Sequence, residues 1–153
     1  WSGHDPARRQ GLLALDAAQV QVEFDAEHLR RVLVNLLDNA LRFMGREPDS
    51  LQITTRIHAP GQAFLQVWSD GAPMDQSVER HLFEPFFSSE SRSSGLGLYI
   101  CRELCERHGA AISYQRVHRP CRRGDVAGNA FTVSFRKAGR LQEPASLFDT
   151  IVV

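Results

Sequence analysis

Asn35, Asn39 and Arg42 follow one another at intervals of four and three residues, so a helix running through them sets two carboxamides and a guanidinium along one edge. Carboxamide oxygens suit a hydrated divalent cation, and a guanidinium suits the phosphates that such a cation carries. Asn is a mediocre helix former because its side chain competes for backbone hydrogen bonds. Two of them one turn apart are an odd seam for a helix that needs only to pack. The plainer alternative is a pair of solvated or capping Asn residues, and this helix alone leaves both open. Ser93-Ser94-Gly95-Leu96-Gly97-Leu98 is the second such stretch. Glycines at a loop-to-helix junction let backbone N–H groups approach an anion, and the helix start adds partial positive charge. Ser94 offers a hydroxyl there. Gly-x-Gly is weak by itself, since many helices begin that way for packing. Joined to the Asn35/Asn39/Arg42 seam it makes a triphosphate cradle, with residues 88–94 as a short polar lid and Arg92 in reach of a phosphate.

These groups need elements to hold them. Leu29, Val32, Leu33, Leu36, Leu37, Ala40, Leu41 and Met44 recur at helical spacing and form one apolar stripe, with Phe43 on its border. Asp25 reads as the N-cap and Gly45 as the stop. Residues 20–24 alternate as a strand. Residues 51–57 and 64–68 form an antiparallel hairpin around the turn 59–62. A turn follows at 69–73, then a short helix at 76–82, and the aromatic run Phe83-Glu84-Pro85-Phe86-Phe87. A helix runs from the glycine turn to His108-Gly109, and residues 110–117 and 129–135 are the last strands. The segment between them, with Arg119, Arg122 and Arg123, reads as a basic loop that is solvated or meets an acidic partner. Strands and long helices in mixed order predict a two-layer α/β sandwich.

Composition narrows the classes. The 153 residues fit one domain with a substantial core. Eighteen basic residues balance eighteen acidic ones, so no overall field points to nucleic acid or an anionic membrane. No apolar run reaches a membrane span and no signal peptide is visible, which puts any anchor outside this chain. Cys101, Cys105 and Cys121 form no disulfide framework, and a reducing cytoplasm is expected. Cys101, Cys105 and His108 would share a helical face, but a buried pair of small hydrophobes is preferred there and no metal is assigned.

Taken in order, these segments resemble the ATP-binding catalytic domain of two-component sensor histidine kinases. Asn35-Leu36-Leu37-Asp38-Asn39-Ala40 is similar to that family's N box and Phe83-Glu84-Pro85-Phe86-Phe87 to its F box. Ser94-Gly95-Leu96-Gly97-Leu98 is similar to its second glycine box, and Gly128-Asn129-Ala130-Phe131 stands where its glycine-containing final strand begins. The short lid and Gly97-Leu98-Tyr99-Ile100-Cys101-Arg102-Glu103-Leu104 look closest to nitrogen-regulatory and type IV pilus sensors. The resemblance implies a Bergerat-type mixed sheet of about five strands, covered on one face by about three helices. It spans roughly residues 20–136, leaving 1–19 as a linker from a missing dimerisation domain and 137–153 as a tail.

By the same resemblance, Asn39 binds Mg²⁺ with Asn35 assisting, Arg42 contacts phosphate, and Phe43 lies against the adenine of ATP. Gly95, Leu96 and Gly97, with Ser94, hold the phosphates, and Phe86 anchors the lid. Related ATP-hydrolysing members carry a Glu where Asn35 stands. A carboxamide cannot serve as that base, which favours positioning ATP for transfer over hydrolysis, as in a gyrase-like or chaperone-like ATPase.

The first glycine box departs from the family's Asp-x-Gly-x-Gly. Here Ser69-Asp70-Gly71-Ala72-Pro73 puts Ser69 where the Asp accepts the adenine amino group, with Asp70 one residue late and Pro73 in place of the second glycine. Ser93 likewise replaces a glycine. Weak ATP binding or a re-purposed regulatory module is the alternative. None of His4, His28, His58, His81, His108 or His118 lies in a phosphoacceptor motif. The implied partners are therefore a separate dimerisation and phosphoacceptor domain and, through it, a response regulator, with no nucleic acid. The expected whole is a membrane-anchored homodimer whose cytoplasmic portion includes this chain.

Overall fold

A computed structural model describes residues 12–15, 20–59, 61–87, 95–136 and 138–140. Its central helix, α1, spans Ala26–Phe43. The Asp25 carboxylate accepts from the His28 N–H at 3.0 Å, capping the first turn. Leu29, Val32, Leu36, Leu37 and Ala40 are buried, and full burial of one such side chain stabilises by about 1.5–3 kcal/mol. The Asn35/Asn39/Arg42 edge is thus set by how the apolar stripe docks.

The stripe faces a five-stranded mixed sheet in the order β1-β3-β4-β6-β5. Strands β3 (Leu51–Ala59) and β4 (Gln62–Ser69) form the expected hairpin. Strand β4 also pairs with β6 (Gly124–Phe135), which pairs with β5 (Ala111–Cys121), all antiparallel. Strand β1 (Leu12–Leu15) joins β3 in parallel, and β2 (Val20–Val22) pairs separately with β7 (Ala138–Arg140). The mixed main sheet and its helices agree with the expected two-layer architecture. The strands at 12–15 and 138–140 were not expected, because each is short and is specified by its partner rather than by its own pattern.

Among the described residues two further helices join the helical layer: α2 (Gln76–Arg80) and α3 (Gly97–Arg107). Val32, Leu36, Cys101, Leu104 and Cys105 meet Leu65, Val67, Phe131 and Val133 in one core. Burial pushes the Cys101 and Cys105 thiols up to about 12, so both are neutral packing groups. His108 lies against the Phe24 ring at 4.3 Å, and its Nε2 is 2.9 Å from His28 Nδ1. This imidazole pair joins the first turn of α1 to the end of α3.

Of the expected basic loop, residues 122–123 form a turn, and the segments on either side of it are the paired end of the β5–β6 hairpin. Arg119 lies within β5, and its guanidinium donates to the Gln66 carboxamide. The hairpin folds back over the sheet: Trp68 Nε1 donates to the Val117 carbonyl (2.8 Å) and Gln52 Nε2 to the Pro120 carbonyl (3.1 Å). Trp68 is fully buried beneath it. A Cβ on Gly128 would lie 2.3 Å from the Ser69 carbonyl oxygen and 2.4 Å from the Trp68 ring, so this approach requires glycine.

Candidate functional site

A cleft of about 490 Å³ opens between α1, the 72–82 segment and the start of α3. Asn35, Asp38, Asn39, Arg42 and Phe43 line it from α1, and Gly95, Gly97 and Leu98 from the glycine turn. The carboxamide seam and the glycine turn therefore face each other. They also touch: Asn35 Nδ2 donates to the Gly97 carbonyl at 3.3 Å.

The glycine turn is shaped by two constraints. Gly95 has φ +70°, and a Cβ there would lie 2.6 Å from the Phe86 carbonyl carbon and 2.7 Å from Phe87 N. Both conformation and space exclude a side chain, and the aromatic run rests directly on this glycine. At Gly97 a Cβ would meet no protein atom within 4 Å. Packing does not require glycine at that position. Space for an anion to reach the first N–H groups of α3 is what its absent side chain leaves. Leu96 is the N-cap, without a side-chain cap bond, and it lies outside the cleft lining.

The residues present fit a cation-bound polyphosphate at this end. Oxygen-bearing side chains of Asn35, Asp38 and Asn39 line one wall, and the N-terminal end of α3, where no side chain caps the helix, lies opposite. Phe43, Ala72, Pro73, Met74, Val78 and Leu82 supply an apolar slot. Asn35 and Phe43 are eight residues apart, which is about 12 Å along a helix, a span suited to an extended phosphate chain with a flat ring at its end.

Ser69, Asp70 and Gly71 do not line the cleft. Ser69 is buried in β4. The Asp70 side chain, 2% exposed, accepts from the Gly45 N–H and the Ser50 hydroxyl, each at 2.7 Å, and from the Arg123 guanidinium. Burial alone would raise its pKa. The Gly45, Ser50 and Arg123 contacts outweigh that and hold the carboxyl below its ordinary value. Asp70 is thereby a tie between the end of α1, the start of β3 and the end of the β5–β6 hairpin. Gly71 packs against the Phe43 backbone, and its carbonyl accepts from Arg116 Nη1 at 2.7 Å.

Phe86 is 79% exposed with φ +62° and does not line the cleft, whereas Phe87 does. Arg92 and Ser94 lie outside the described residues. Several lining residues were not singled out from the sequence. Asp75 and Met74 carry no motif of their own. Asn129 had a signal, since it follows the glycine of the final strand.

Most of this arrangement falls within a known family. Residues 24–139 match the model for "Histidine kinase-, DNA gyrase B-, and HSP90-like ATPase". The sensor protein kinase PilS of Pseudomonas aeruginosa is 33% identical over 132 residues, covering 84% of this chain and 24% of that protein. The C4-dicarboxylate transport sensor protein DctS of Rhodobacter capsulatus is 34% identical over 115 residues, covering 74% of this chain and 16% of that protein. The catalytic domain of the histidine kinase ThkA, in a nucleotide-free form, has a TM-score of 0.69 at 26% identity, covering 84% of this chain and 78% of that chain. The mycobacterial sensor histidine kinase MprB, at 23% identity and a TM-score of 0.73 over 88% of both chains, shares the fold.

The chain is a member of the histidine kinase, gyrase B and HSP90-like ATPase family. Within it, this is the ATPase-type catalytic domain of a sensor histidine kinase, and it spans about a quarter or less of the length of the curated relatives named above.

Proposed function

We propose that this domain binds ATP with Mg²⁺ in the cleft and positions the γ-phosphate for transfer to a histidine on a separate dimerisation domain. The observation that carries this reading is the meeting of the Asn35/Asn39 edge and the Gly95–Gly97 turn across one cleft. Asn39, with Asn35 assisting, would hold the metal, whose charge neutralises the phosphates. Arg42 contacts phosphate, Phe43 covers the ring, and the amides at Gly95, Leu96 and Gly97, with Ser94 and Arg92, hold the phosphate chain. Phe86 anchors the segment that follows it. In phosphoryl transfer, positioning and charge neutralisation supply most of the rate, and Asn35 offers no base to activate water.

The wider assignment follows from the same reading: a histidine protein kinase acting in two-component signalling, with the acceptor histidine and response regulator engaged through another domain. Residues 20–136 form the catalytic unit, with a linker before and a tail after, in the cytoplasmic part of a membrane-anchored homodimer. Among the described residues no helix is long and apolar enough to cross a membrane.

One observation favours a second reading, a regulatory module with weak ATP affinity: the Asp70 carboxylate is committed to Gly45, Ser50 and Arg123. Calorimetry with a non-hydrolysable ATP analogue separates the two. Mg²⁺-dependent binding that disappears in Asn39→Ala supports the kinase reading. No heat at millimolar analogue from folded protein overturns it in favour of the second.

A further inference from the structure

Among the described residues the helices pack on one face of the main sheet, where Ile53, Leu65, Val67, Phe131 and Val133 enter the core. Successive strand residues point to opposite faces, so the residues between these lie on the far side. The register sets Thr54, Gln66, Thr132 and Ser113 in one row across that far face, with Arg56 and Phe64 in the next. The end of the β5–β6 hairpin arches over the same face as far as Trp68 and Gln52. The polar row beside the arch is the floor of a groove, and none of its residues lines the cleft described above.

Two guanidiniums meet at this groove, Arg119 from the hairpin and Arg56 from β3. Arg119 donates from Nη2 to the Gln66 carboxamide, whose Nε2 in turn donates to Thr132 Oγ1 at 3.0 Å. Its Nε is buried and makes no hydrogen bond, so the group is under-satisfied. Burial, and after it the positive charge of Arg56, hold the Arg119 pKa below its ordinary value. Neither guanidinium has a carboxylate partner among the described residues. Nearby cations are already engaged. Arg123 is paired with Asp70, and Arg116 bonds the Gly71 and Ala127 carbonyls. Arg56 and Arg119 are thus like charges set together without a counter-charge, an arrangement that repels until an anion joins them.

The excess charge is local. Eighteen basic residues balance eighteen acidic ones over the chain, so the broad positive field that a nucleic acid or an anionic membrane would need is missing. Two forked donors above a floor of hydroxyls and carboxamides instead match one or two carboxylates held on a polypeptide. We propose that this far face is a docking surface for an acidic polypeptide segment, whose carboxylates are received by Arg119 and Arg56. Because it lies across the sheet from the cleft, such a partner docks without closing off the cleft, and the inference does not depend on what the cleft holds.

The test is calorimetry on this chain at low salt with hexaglutamate as the probe, alongside hexaglutamine, duplex DNA and phosphatidylserine vesicles. Hexaglutamate should bind and hexaglutamine should not. Arg119→Gln should weaken hexaglutamate binding about tenfold. Arg56→Gln removes an exposed, solvent-screened charge and should weaken it about threefold. Arg30→Gln, at an exposed position on α1, should leave it unchanged. No binding at millimolar hexaglutamate overturns the proposal, as does unchanged affinity in either folded groove variant. An equal loss in Arg30→Gln, or tighter binding of DNA or vesicles than of hexaglutamate, also overturns it. Should Arg119→Gln fail to fold, Arg56→Gln, altered only at the surface, decides.

Discussion

Replacing Asp70 by Ala tests whether this carboxylate is a structural tie or a ligand group. The change leaves the Gly45 N–H and the Ser50 hydroxyl without their acceptor. Two charge-assisted bonds from a side chain this buried put the loss at about 2–3 kcal/mol. Arg123 is half exposed, so solvent screening limits its share to less than about 1 kcal/mol. For a chain of this size the melting temperature should fall by roughly 5–10 °C. Asp70→Asn retains one acceptor oxygen and should lose about half as much. The folded pKa lies below 3.8. This contribution is therefore complete above the unfolded value and fades as the pH falls through the folded one. Urea melts of wild type and Asp70→Ala should differ most at neutral pH and converge in acid. Nucleotide affinity of the folded variant should stay within about twofold of wild type. Unchanged stability, or affinity lost at unchanged stability, would refute this account.

Gly95→Ala forces a Cβ to within 2.6 Å of the Phe86 backbone at φ +70°, and should cost at least about 1–3 kcal/mol together with nucleotide binding, measured by thermal melting and titration. Gly97→Ala, with open space at its Cβ, should fold normally and lose only affinity. Gly128→Ala has the Ser69 carbonyl and the Trp68 ring in its way; a severe loss of folded protein, seen as a blue-to-red shift of tryptophan emission, is expected. Cys101 and Cys105, held neutral up to about 12, should resist thiol reagents in native protein and react on unfolding. The His108 pKa is lowered, by burial first and then by His28 and Arg107. Stability should consequently decline as the pH drops through 6.5, and His108→Asn should flatten that dependence in acid-side melts.

Much of the site was legible because its motifs are local. Asn35, Asn39 and Arg42 sit on a helix whose stripe fixes its rotation, and Gly95 and Gly97 mark a helix start. Opposition of the two is a tertiary fact, yet the core residues between them, Leu36 and Cys101, were already visible as apolar periodicity. Asp70 was harder. Its sequence neighbours suggest a ring-binding box, while its partners lie 25, 20 and 53 positions away at Gly45, Ser50 and Arg123. Arg119 lies in a polar, basic stretch that predicts a loop. Its place in β5 follows from backbone pairing with Val126 and from the partner Gln66, neither of which leaves a local signature. Asn129 was visible only as part of a glycine-led strand, and its bonds to Tyr114 and Ala72 required the fold.

The imidazole pair and the Asn35 carboxamide tie the same two helices at opposite ends of their contact. Helices α1 and α3, which flank the phosphate end of the cleft, are thus fastened to each other above and below. They cannot swing apart like jaws without parting one fastening. Accommodation of differently sized guests therefore falls to the opposing bank from Ala72 to Leu82, and little ordering entropy remains to be surrendered on the helical side when the cleft fills.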